Sequence, residues 1–132
     1  MVKSRDHLIR LKRFQVEERR RRVAQIEAMI ADFGRMSADL DREIATEEQR
    51  SGISDQAHFA YPTYARAAIG RRDNLRRSAG ELRDQLDEAK EHLAAAAEEM
   101  AKAESLEGRD KAMPQSDHAR ADMLAGPRFA RA

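Results

Sequence analysis

Four histidines, His7, His58, His92 and His118, are the side chains of this 132-residue sequence best suited to metal or acid–base chemistry, since it contains no cysteine. Glu88 and His92 share a helix face at i, i+4, and Asp55 precedes His58 by three. Neither pair has the third convergent ligand that a zinc or catalytic centre needs. A Gly-rich phosphate loop, a GxSxG elbow and a Ser/His/Asp arrangement are also missing from the sequence. The expectation is a protein without metal, cofactor or catalytic residues, and not an enzyme.

Charge is the other chemistry on offer. Arg19, Arg20, Arg21 and Arg22 form the densest cationic run, suited to phosphate or to an acidic protein groove. The plainer expectation is a solvated face on a helix whose partner arm is acidic. Successive helical residues turn by 100°, however, so four in a row cannot all face that arm and at least one or two must point outward. A second group, Arg66, Arg71, Arg72, Arg76 and Arg77, lies beside Phe59, Tyr61 and Tyr64. These aromatics are expected to cap the end of the helical pair or to dock a protein, since aromatic side chains next to arginines are common anchors at protein interfaces. The same combination would suit nucleic acid if presented as a groove or stacking platform.

These residues need elements to hold them, and the composition limits the choice. Charged residues make up 37% and aromatic ones 5%, a balance that favours long helices over a large globular core. The apolar positions repeat every seven residues: Ile9, Val16, Val23, Ile30, Ser37 and Ile44, with Ile26, Phe33 and Leu40 at the second seam position. This is a coiled-coil stripe. Nearer the N-terminus the second position is held by Lys12 and Arg19, which cannot be buried cheaply against an apolar partner. That predicts a weakly sealed end with surplus positive charge. Downstream, Leu75, Leu82, Leu86, Leu93 and Met100 alternate with Ala79, Ala89, Ala96 and Ala103 in a second seam. Met29, Met36 and Met100 are expected to fill the core.

Between the stripes, Ser51 and Gly52 suit a helix C-cap, and Pro62 is unsuited to a helix interior. The predicted organisation is a helix over about 4–50, a bend over 51–62, a helix over about 63–110, and a mobile tail over 113–132, where Pro114, Gly126 and Pro127 interrupt the pattern. Residues 1–112 form the hairpin. Charge supports antiparallel pairing. Residues 1–30 hold nine Lys/Arg against four Asp/Glu and residues 81–107 hold three against nine, while 32–50 is acidic, three against six, and 66–77 basic, five against one. Folding the chain near Asp55 sets each block against its opposite, and such charges help select helical partners. It also sets Phe33 and Gly34 against Ala79 and Gly80, predicting that Gly80 makes room for the Phe33 ring. The fold class is all-α, a long antiparallel two-helix coiled-coil hairpin.

No apolar run approaches the roughly 18 to 20 residues of a membrane span. The N-terminal segment lacks the continuous apolar stretch of a secretory signal, and the absence of cysteine fits a reducing compartment.

The opening KSRDHLIRLKRFQVEERRRRVAQIEAMIADF, the bend HFAYPTYARAAI and the following RRDNLRRSAGELRDQL resemble the flagellar export protein family FliJ, in its alphaproteobacterial form, over residues 3 to 107. The resemblance implies a cytoplasmic component of the flagellar type III secretion apparatus, at the cytoplasmic face of the basal body. Its expected partners are the hexameric flagellum-specific ATPase, the export gate and the export chaperones. Arg5, Arg10, Lys12 and Arg13, and Phe59, Tyr61, Pro62 and Tyr64, occupy the family-like segments. With Arg19 to Arg22 they are the candidate partner-binding residues. The alternative classes are a basic hairpin that binds nucleic acid and a self-associating coiled-coil adaptor.

Overall fold

The computed structural model describes the backbone of residues 2–125 and the side chains of residues 4–109. Its architecture is an all-α hairpin of two helices, α1 (Val2–Ser51) and α2 (Thr63–Ala125). Helix α1 stops where stereochemistry requires. Gly52 adopts φ 72°, a left-handed conformation that glycine reaches without a Cβ clash, and its N–H donates to the Glu48 carbonyl at 2.9 Å. Helix α2 begins immediately after Pro62, whose carbonyl accepts the first helical bond from the Arg66 N–H.

The helices pack as two units, one of residues 20–92 and the other of the described residues up to 19 with those from 93 onward. In the unit containing the bend, Ile26, Leu82 and Ala89 are buried together, with Val23, Ile30, Phe33 and Leu86 packed against them. A second cluster joins Leu40, Ile44 and Ala68, with Ile69 and Leu75 against it. The layer between carries only small residues, the buried Ser37 and Ala79. Asp41 ties this unit across its seam. One carboxylate oxygen accepts from Arg72 at 3.0 Å and the other from Arg76 at 2.9 Å. In the other unit Ile9, Val16 and Ala103 are buried. The cross-helix partners there include Lys12 with Glu99 and Arg13 with Glu104. Within each unit the pairs keep the register expected from a fold near Asp55.

Three expectations are corrected. Gly80 does not accommodate Phe33, because a Cβ at Gly80 would meet nothing within 4 Å. Helical side chains lean toward the N-terminus, and Phe33 packs on the cluster of Ile26 instead. Gly80→Ala is therefore expected to raise stability by about 1 kcal/mol, the interior helix preference of alanine over glycine. A thermal melt checks this, and a lowered melting temperature would contradict it. Met29 and Met36, 42% and 49% exposed, are not core residues. Each precedes a seam position by one residue, which rotates it about 100° away from the partner helix. Finally, α2 continues to Ala125 rather than ending near 110. Proline removes one backbone bond, but Ala119, Arg120, Ala121, Met123 and Leu124 beyond it are all good helix formers. The rest of the expected tail, 126–132, lies outside the described residues.

Candidate functional site

The bend is stitched by short-range bonds that follow from its composition. Asp55 accepts from the Ala57 N–H at 3.0 Å through its side chain and from the His58 N–H at 3.0 Å through its carbonyl, the turn chemistry aspartate is suited to. His58 Nδ1 accepts from the Ala60 N–H, and its carbonyl accepts from the Tyr61 N–H, both at 3.0 Å. These bonds fix the three bend aromatics in different roles. Tyr61 is 4% exposed, and its hydroxyl donates to the Glu48 carboxylate on α1 at 2.6 Å. That bond raises the phenol pKa above its ordinary value. The Arg66 guanidinium lies over the Tyr61 ring at 5.4 Å from its centroid and donates to the Gln56 carbonyl, a cation–π contact. Tyr61 therefore latches the bend to α1. Tyr64, half exposed, donates to Glu43. Phe59 is 94% exposed, and among the described residues its ring stacks on His58, centroids 4.8 Å apart. Of the three aromatics, Phe59 is the most exposed.

The second basic group is largely absorbed by the fold. Arg66 engages Tyr61 and Gln56, Arg72 engages Asp41 and Asp73, Arg76 engages Asp41, and Arg77 engages Asn74. A guanidinium held in this way has fewer free donors for phosphate. Arg22 donates to Gln85 at 3.5 Å, and Arg20 and Arg21 have partners of their own. All three remain exposed.

In the unit holding the N-terminal segment, Lys12 corrects the expectation of an unsatisfied seam. Its side chain is 21% exposed, and its ammonium meets Glu99 at 2.6 Å. A lysine stem lies along apolar surface while its charged head reaches water, which makes this seam position tolerable. The bond from Lys12 holds the Glu99 carboxyl below its ordinary pKa. Arg13 places two donors on one Glu104 oxygen, both at 3.2 Å. Arg5 donates to the Leu106 carbonyl at 3.5 Å. Arg10 and Arg19 are exposed and make no ion pair among the described residues. Leu8, Leu11, Phe14 and Leu106 are 42 to 58% exposed in the same unit. Sequence reasoning missed this apolar surface because Leu8, Leu11 and Phe14 fall outside the heptad stripe used to find the seam.

Among the described residues no group of three His, Asp or Glu is placed to hold a metal ion, and no helix is long and apolar enough to cross a membrane. The side chain of His118 lies outside the described residues. Comparison with known protein families, curated proteins and solved structures finds no match.

Proposed function

We propose that this chain is a non-enzymatic stalk and escort component of the flagellar type III protein export apparatus, of the FliJ kind. It links the flagellum-specific ATPase to the export gate and to export chaperones at the cytoplasmic face of the basal body. One observation carries the reading most directly. The segment HFAYPTYARAAI, which resembles the family at a bend, is built here as a latched bend that leaves Phe59 displayed. The exposed Arg10 and the apolar Leu8, Leu11 and Phe14 on the family-like opening segment offer a further protein-docking surface. Any coupling would rest on different contacts made with different states of the ATPase ring.

The test is capture of the flagellum-specific ATPase by the full chain, with ATP hydrolysis measured in its presence and absence. Stimulated hydrolysis is expected. Arg10→Ala is the cleanest variant, because Lys12 and Arg13 also hold α2 through Glu99 and Glu104. It should weaken stimulation while helicity stays unchanged. Failure of the wild-type chain to bind the ATPase would overturn the reading.

A further inference from the structure

In the unit of residues 20–92, one outward face of α2 is its own electrostatic complement. Arg76, Gly80, Arg83, Asp84, Asp87 and Glu91 share a helix face by their spacing, about 130° around from the Leu82 and Leu86 seam. Reversed about the point between Arg83 and Asp84, the face maps Arg76 onto Glu91, Arg83 onto Asp84 and Gly80 onto Asp87. All are exposed apart from the half-buried Gly80, and Arg83, Asp84, Asp87 and Glu91 make no ion pair among the described residues. Four of the charges needed for a symmetric contact thus have no competing ion pair among the described residues, while Arg76, which donates one N–H to Asp41, keeps further guanidinium donors to offer.

A second feature lies beside the same face. Arg76 and Arg83 flank a cleft of about 280 Å³ whose walls include Gly34, Ser37, Ala38 and Ala79. Ser37 is 8% exposed, and its hydroxyl has no hydrogen-bond partner among the described residues.

We propose that this face binds a second copy of the chain, with the two α2 helices antiparallel about a two-fold axis between Arg83 and Asp84. Such a contact is isologous, so every pairing occurs twice. Arg83 of each copy meets Asp84 of the other, and Arg76 meets Glu91. Asp87 of each copy stands over the other's Gly80, where a Cβ would find nothing within 4 Å, between Arg76 and Arg83. Parallel alignment is disfavoured because it would set Arg76 and Arg83 against themselves. The contact is polar and confined to a few helical turns, so association is weak and sensitive to salt. The inference does not rest on the export reading.

Sedimentation equilibrium of the full chain tests it. At about 0.01 M ionic strength the mass is expected to rise with concentration from 15.0 kDa toward twice that value. At about 1 M salt it should remain at 15.0 kDa. R83E and D84R each create two like-charge contacts and should weaken association roughly tenfold or more. An equal mixture of the two restores opposite charges at both contacts, and wild-type affinity with them. Neither residue makes an ion pair among the described residues, so helicity should be unchanged. A single 15.0 kDa species at low salt for the wild type would overturn the proposal. So would self-association unaffected by either variant, or a mixture of two folded variants that fails to associate.

Discussion

Ile26→Ala is expected to destabilise the protein by about 3 kcal/mol, within the usual range for truncating a buried aliphatic side chain. Ile26 is 1% exposed and stands at the centre of the cluster with Leu82 and Ala89. Three carbons leave the core, worth roughly 0.8 kcal/mol each in transfer free energy. A cavity term adds to this because Ala89, one of the facing residues, has no side chain long enough to fill the space. The better helix propensity of alanine returns only a few tenths of that, ~0.4 kcal/mol. A seam of this kind has little reserve, since domains are stable by only about 5–15 kcal/mol in total. Urea unfolding followed by circular dichroism measures the effect, with Leu11→Ala as the reference because Leu11 is 50% exposed. Equal midpoints for the two variants would show that the Ile26 cluster does not hold this unit together.

Tyr61→Ala is expected to cost about 3 kcal/mol as well, for different reasons. The ring is almost completely buried, its hydroxyl meets the Glu48 carboxylate, and Arg66 covers its face. Tyr61→Phe keeps the ring and isolates the hydroxyl bond, so it should lose about 1–2 kcal/mol. Phe59→Ala, three positions from the end of the bend, should fall within about 0.5 kcal/mol of wild type because the ring touches so little. The three variants separate folding from recognition. If the bend docks on the export gate, Phe59→Ala should abolish gate capture at unchanged helicity, whereas Tyr61→Ala reduces capture by loosening the bend. A Tyr61→Ala protein as stable as wild type would remove the latch from this account.

The bend was legible in the sequence because its determinants are local. Glycine at Gly52 and proline at Pro62 act through backbone stereochemistry that no distant contact needs to supply. The antiparallel register was legible too, since long charge blocks average over individual side chains. What escaped were features decided by rotamer direction and by the angular offset of a single residue. Phe33 leans away from Gly80, Met29 and Met36 turn outward, and Lys12 reaches Glu99 instead of standing unsatisfied. Of the candidate binding residues, the sequence grouped Phe59, Tyr61 and Tyr64 at the bend, either capping the helical pair or docking a protein, without telling which ring does which. Distinguishing a latch from a displayed ring required knowing that Glu48 and Glu43 stand opposite the two hydroxyls. Helix propensity beyond Pro114 outweighed the usual disruption by proline, and that balance is not visible from the proline alone.

The Tyr61 latch also sets an order in time. The residues it joins are 13 apart in the chain, those of the Tyr64 bond 21 and the Asp41–Arg72 pair 31. The separation grows to 63 for Arg22 with Gln85 and 87 for Lys12 with Glu99. Closing a short loop sacrifices less chain entropy than closing a long one, and each closure shortens the loop left for the next pair. Folding thus starts at the bend and zips outward, so loss of the latch slows refolding as well as lowering stability. During synthesis, α1 emerges first, and its apolar stripe has no partner until the chain has passed Tyr61 and α2 follows.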